Sequence, residues 1–281
     1  MALGTAQFGM PYGISNKNGQ VNFSDISMIL DLAWENGINF LDTAKEYGES
    51  EESIGNYLKQ HPNRSWNIIT KLSDNRKKVT DQIQDSAEKL NTFPTIVMAH
   101  SAALFMDDKF QNELSNEKEK KNILKVGVSL YNESDINQVI KSTTKPEVIQ
   151  LPLNILDTQL YKSGVLTKLS NNGIEIHARS AFLQGLFYLP DSEIKNRFSE
   201  AVPYIDKLKF IAKSNDISLS ELSLLWLVSL KEVSKVVIGV DNADQLKTHL
   251  RTLKKCVNPI IFKEALSVSY KNEKILNPSF W

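Results

Sequence analysis

The chain has one cysteine, Cys256, so it can form neither an internal disulfide nor a cysteine metal cluster, and a reducing, cytoplasmic setting is expected. It has no excess charge either. Lys plus Arg and Asp plus Glu both total 33, leaving no net field to hold a nucleic-acid backbone or an anionic membrane surface. No uninterrupted apolar run approaches the ~18 residues of a membrane span, and Met1–Thr5 lacks the basic and apolar regions of a signal peptide, so neither secretion nor membrane insertion is expected. No G-x-G-x-x-G fingerprint and no P-loop occur, which excludes a Rossmann domain and a P-loop nucleotidase. No Pro/Ser-rich linker or low-complexity tract divides the chain, so residues 1–281 are read as one domain. The densest charge run, Glu117–Lys121 (EKEKK), mixes signs and reads as a solvated helix face.

What the chain does have is strict alternation. Short β-rich runs at Ala2–Thr5, Ile38–Asp42, Trp66–Lys71, Thr95–His100, Lys125–Ser129, Val148–Leu153, Ile174–Ser180 and Val236–Val240 are separated by stretches of helical periodicity. Ile26, Ile29, Leu30 and Ala33 form one apolar stripe ended by Gly37, and Ser218-x-x-Glu221 is a capping box before Leu222, Leu225 and Trp226. Eight β-α units without a central break read as an α/β fold, a (β/α)8 TIM barrel. The length is close to the roughly 250 residues such a barrel needs.

Parity within the strands adds detail. Ile174, Ile176 and Ala178 suit the helix side, so Glu175, His177 and Arg179 are expected to point inward. Asp42, Lys71 and His100 each fall at the C-terminal end of a strand, the end of a parallel barrel that carries chemistry. Singly, Asp42 reads equally well as a helix cap, Lys71 as an exposed strand end and His100 as a satisfied core imidazole. His61 and His249 read as surface residues.

The segment Phe40-Leu41-Asp42-Thr43-Ala44-Lys45-Glu46-Tyr47-Gly48 places an acid and a tyrosine just beyond a strand, and Ile69-Thr70-Lys71 and Met98-Ala99-His100 follow in order. With these residues the chain resembles the aldo-keto reductase family. The likeness extends to Leu3-Gly4-Thr5, Val126–Ser129, Gln150, Arg179–Gly185 and Ile238-Gly239, almost the whole chain.

The chemistry of the four residues can be argued on its own. A tyrosine hydroxyl, with an ordinary pKa of about 10, is a sluggish acid at neutral pH, and a nearby ammonium such as that of Lys71 favours its phenolate. Asp42 is expected to hold Lys71 in place and charged, His100 to bond the substrate carbonyl, and Tyr47 to protonate its oxygen.

The resemblance implies NADPH or NADH lying across the barrel mouth without a Rossmann fingerprint. Gly4, Thr5, Ser129, Gln150, Arg179, Ser180, Phe182 and Gly185 match cofactor positions, and Ser129 and Gln150 match those that hold the nicotinamide amide. Gly239, Val240, Asp241 and Gln245 are expected to form a turn and helix N-terminus that receive phosphates. No metal site is expected.

Three positions depart from the family pattern. Leu130 stands where Asn is common, and Arg179 stands at the place of an aromatic that stacks on the nicotinamide. Arg179 therefore either stacks on that ring or binds an anionic substrate group. Asp241 replaces a usual Lys or Arg near the adenosine 2′-phosphate, which suits a free 2′-hydroxyl unless Lys247 or Arg251 compensates. The expected partner is a small carbonyl compound, an aldehyde, ketone or keto-sugar, reduced to an alcohol. Tyr12, Phe105, Met106, Phe280 and Trp281 are candidate pocket residues. The alternative is a non-catalytic nicotinamide-binding barrel that acts as a regulatory or partner-binding subunit.

Overall fold

Short β-branched runs that are apolar on both faces suit strands buried on both sides, and helices with one apolar stripe suit the layer that covers them. The computed structural model, which describes residues 1–281, places eight strands accordingly. They are β1 (Ala2–Gly4), β2 (Phe40–Asp42), β3 (Asn67–Leu72), β4 (Ile96–Ala99), β5 (Lys125–Ser129), β6 (Val148–Pro152), β7 (Glu175–Arg179) and β8 (Val233–Gly239). All neighbours are parallel and follow chain order, and β8 pairs back to β1 to close the barrel. The fold is the (β/α)8 barrel expected from the alternation.

Most of the core lies between the barrel wall and the helices, where 72 buried side chains form one cluster. Inside the barrel only Ile69, Ile96, Met98 and Val148 cluster, with Phe40 packed on them. Above this plug the interior row turns polar. Gly4 pairs with Asp42, Ser129 with Gln150, and Gln150 with His177. Partners in a parallel ladder face the same side, so these side chains converge at the C-terminal mouth.

The capping box at Ser218 forms as expected. Its hydroxyl accepts from the Glu221 amide at 3.2 Å and the Glu221 carboxylate accepts from the Ser218 amide at 2.8 Å, opening the helix Leu219–Ser229. The helix Phe23–Glu35 starts at Asn22, whose side chain accepts from the Asp25 amide, and it buries Ile26, Ile29, Leu30 and Ala33.

Some boundaries differ from the sequence reading. Ile38 and Asn39 lie outside β2 because the chain is still turning after Gly37, which has φ +75°. β8 starts three residues early, at Val233. Lys235 masked it, since that polar residue points into the barrel base, with Nζ 4.6 Å from the centre of the Phe40 ring.

Two surface assignments are corrected. Glu117 is buried, and its carboxylate accepts from Thr80 Oγ1, Lys120 Nζ and Asn122 Nδ2 at 2.7–2.8 Å. His249 is buried and stacks on Phe182, with ring centres 4.8 Å apart. Phe105 and Met106 also prove to be packing residues, Phe105 fully buried and Met106 against the core. No helix is long and apolar enough to cross a membrane.

Candidate active site

The mouth is built from strand ends. Asp42 is the last residue of β2, Lys71 lies near the end of β3, and His100 follows β4 directly. Tyr47 sits in the turn between β2 and the helix Ser50–Gln60. Hydroxyls tie that turn down. Thr43 Oγ1 donates to Ser50 Oγ at 3.0 Å, and Ser50 Oγ donates to the Thr5 carbonyl at 2.8 Å. Gly9 lies against the same turn so closely that a Cβ there would stand 1.8 Å from the Tyr47 carbonyl oxygen.

Lys71 is almost wholly buried, and Nζ donates to Asp42 Oδ1 at 2.6 Å and to the Thr43 carbonyl at 3.0 Å. The second carboxylate oxygen of Asp42 accepts from Gln150 Nε2 at 2.6 Å. Burial acts to push the Lys71 ammonium down, but Asp42 and then Tyr47 oppose it, and the net direction is upward. The ammonium therefore stays charged at neutral pH. It lies 5.1 Å from the centre of the Tyr47 ring.

The His100 ring stands edge-on to that of Tyr47 at 6.3 Å. His100 Nδ1 is 3.1 Å from Glu46 Oε2, without the alignment of a hydrogen bond. Burial, followed by the Lys71 charge, lowers the His100 pKa despite Glu46. At neutral pH this imidazole is uncharged.

Two connected hollows open here. A cavity of about 180 Å³ is walled by Tyr47, Lys71, His100, Ser129, Gln150 and Arg179, with Tyr12, Tyr131, Gln184 and Ser279 among its other walls. A larger one of about 530 Å³ begins at Asp42 and Tyr47 and runs over the ends of β1 and β8 to the outer helices. Gly4, Thr5, Gln150, Arg179, Ser180, Phe182, Gly185, Gly239, Asp241 and Gln245 line it. Val240 is the exception among the expected cofactor residues. Its side chain is fully buried in the core and reaches neither hollow.

The larger cavity fits an extended dinucleotide by its size, which lies within the ~300–1,000 Å³ usual for ligand sites, and by its floor. Gly239 leaves room for the Gln7 amide, whose atoms would be 2.6 Å from a Cβ there. The helix Ala243–Thr252 starts at the rim, where Asn242 caps the Gln245 amide at 2.9 Å and Gln245 Oε1 accepts from the Asp241 amide at 2.8 Å. The positive end of that helix favours a phosphate.

Arg179 lies between the two hollows. Its guanidinium stands over the Tyr131 ring at 4.3 Å and donates to the Leu130 carbonyl at 3.4 Å and to Ser180 Oγ at 3.3 Å. Tyr12 closes the same corner, accepting from Gln184 Nε2 at 3.0 Å, and burial pushes its hydroxyl up to about 12, with Tyr47 adding to the rise. Of the expected aromatic tail, Phe280 is exposed and Trp281 packs on Phe198, while Pro278 and Ser279 reach the small cavity.

Sequence reasoning missed Gln7, Tyr131, Gln184, Glu221 and His249. For His249 a signal existed, because Leu246, His249 and Thr252 recur every third residue and all three are buried on one helix face.

A closed parallel barrel with a buried acid–lysine pair, a tyrosine and a histidine at its C-terminal mouth is an enzyme-like framework. The chain belongs to the aldo/keto reductase family, whose model matches residues 1–259. Membership implies NAD(P)H-dependent oxidoreductase chemistry. The chain is 24% identical, over 86% of its length and 82% of the relative's, to the L-glyceraldehyde 3-phosphate reductase of Escherichia coli strain K12. Its fold is similar to that of an aldo-keto reductase from Bacillus halodurans solved in its holo form, with TM-score 0.79, 19% identity and coverage of 98% and 94% of the two chains. It is also similar to the glycerol dehydrogenase of Gluconobacter oxydans, with TM-score 0.72, 20% identity and coverage of 95% and 89%.

Proposed function

We propose that the protein reduces a small aldehyde or ketone to an alcohol with NADH, with Tyr47 as the proton donor. The observation that carries this reading is the buried Lys71–Asp42 pair, at 2.6 Å, set against the Tyr47 ring. A barrel that only bound a dinucleotide has no need of a desolvated ion pair behind a tyrosine, since such pairs add little net stability.

When bound, the reduced nicotinamide supplies the hydride that goes to the carbonyl carbon. Tyr47 gives its proton to the carbonyl oxygen, and the Lys71 ammonium stabilises the phenolate left behind. Asp42 keeps Lys71 charged and fixed, and Gln150 holds the other oxygen of Asp42. A neutral His100 has one N–H to offer the carbonyl oxygen. The small cavity, about 180 Å³, suits a short substrate.

NADH is favoured over NADPH by the charge of the larger cavity. Arg179, beside Tyr47, is the sole Lys or Arg among its lining residues. The other end presents Asp241, Glu221 and His249, which burial lowers to about 4 and so keeps neutral. Lys247 is held by Asp244 at 2.9 Å and Lys255 by Glu221 at 2.7 Å, and neither they nor Arg251 line the cavity. With Glu221 paired to Lys255, the carboxylate left without an ion pair at this end is that of Asp241, which suits a ribose hydroxyl and disfavours a second phosphate. The test is to mix the protein with each reduced cofactor and a set of short aldehydes, ketones and keto-sugars, following loss of reduced-cofactor absorbance. Oxidation of NADH in preference to NADPH is expected, and no turnover of any carbonyl contradicts the reading.

A further inference from the structure

Lys71 and Arg179 are the two permanent cations of the small cavity, and they differ in one respect. Lys71 is neutralised by Asp42, but no carboxylate approaches Arg179, and no Asp or Glu lines this cavity. The Arg179 guanidinium rests on the Tyr131 face, and its two hydrogen bonds, to Leu130 and Ser180, are long at 3.4 and 3.3 Å. Most of its five N–H donors are left unused. Around it stand further donors. The Tyr12 hydroxyl, protonated at neutral pH, accepts from Gln184 and has its own hydrogen free, and the Ser180 hydroxyl, which accepts from Arg179, also keeps its hydrogen.

A half-buried, unpaired guanidinium ringed by donors and held flat on an aromatic face is arranged to receive an anionic, planar or tetrahedral oxygen group. We propose that the substrate carries such a group, a carboxylate or a phosphate, which docks on Arg179 while its carbonyl reaches Tyr47. This rests on the reductase reading and adds the substrate class to it. Neutral carbonyl compounds leave the Arg179 charge uncompensated and bind more weakly.

The test compares matched pairs on the intact protein with NADH: succinic semialdehyde against butanal, and glyceraldehyde 3-phosphate against glyceraldehyde. Wild-type kcat/KM is expected to be about ten- to a hundredfold higher for the anionic member of at least one pair. The favoured pair distinguishes carboxylate from phosphate. Arg179→Met should bring that ratio to about one, and Arg179→Lys should retain part of it. The ratio is the readout, because a loss of cofactor binding lowers both members alike. Equal kcat/KM for charged and neutral members, or a preference that survives Arg179→Met, overturns the proposal and leaves the reductase reading standing. Turnover of no carbonyl overturns that reading instead, and the anion site is then decided by calorimetric titration with inorganic phosphate and with succinate. Binding to wild type that is lost in Arg179→Met sustains the site, and no binding to wild type overturns it. Should Arg179→Met fail to fold, competition of inorganic phosphate or succinate against butanal in the wild-type enzyme is expected, and its absence counts against the proposal.

Discussion

Gly9 and Tyr47 meet backbone to backbone, with the Tyr47 carbonyl oxygen only 1.8 Å from where a Gly9 Cβ would stand. Any side chain at position 9 must therefore displace the turn that carries the proposed proton donor. Gly9→Ala is expected to lower kcat by about tenfold to a hundredfold, since a misplacement of about 1 Å at a reacting group costs that much. Retention of NADH affinity, measured by fluorescence titration, separates this from general unfolding. An unchanged kcat would mean that the turn adapts without moving Tyr47.

The Lys71–Asp42 pair is buried, and removing one partner strands the other in a medium that solvates charge poorly. Asp42→Leu is expected to cost about 3–5 kcal/mol of stability in urea unfolding. The double variant Asp42→Leu, Lys71→Met should recover much of that loss while remaining inactive. A single variant as stable as the parent would contradict the burial argument.

Two histidines make the fold acid-sensitive. Burial lowers both His177 and His249 from 6.5 to about 4. Their folded pKa values lie below the unfolded one, so the unfolded chain binds more protons between these values. Stability from each is full above pH 6.5 and is lost as pH falls towards 4, by up to about 3 kcal/mol per residue. Urea midpoints measured across this range should fall steeply, and His249→Asn should remove roughly half of the fall. A flat profile would mean that these imidazoles are not buried in the neutral form.

Asp241 lines the larger cavity, and on the proposed binding of the cofactor it stands where an adenosine 2′-phosphate would need a cation. The NADPH dissociation constant is expected to exceed that of NADH by about tenfold or more, on the scale of one or two charge-assisted hydrogen bonds. Asp241→Arg should narrow or reverse the difference. Equal affinities in the parent protein would contradict the NADH assignment.

The barrel was legible because the strands are short, mostly apolar runs, several of them rich in Val and Ile, that alternate regularly with longer segments of helical periodicity. β8 was blurred because Lys235, an inward residue at the barrel base, interrupts its apolar pattern. Asp42, Tyr47, Lys71 and His100 could be read because Asp42 and Lys71 lie at strand ends, His100 follows β4 directly and Tyr47 sits in the turn after β2, so position along the chain already implies position at the mouth. Tyr131, Gln184 and Glu221 come from loops and an outer helix, and only closure of the barrel brings them to the cavities. His249 was misread because its neighbours Lys247, Thr248 and Arg251 make the helix look polar all round, although one face is buried under Phe182.

The central claim is that Tyr47 delivers the proton in an NADH-dependent carbonyl reduction. It is tested most directly by kcat/KM for wild type and Tyr47→Phe on the same aldehyde, read as loss of reduced-cofactor absorbance. The account predicts a loss of about 10²- to 10⁴-fold in Tyr47→Phe with NADH binding retained. Turnover by Tyr47→Phe at the wild-type rate would contradict it.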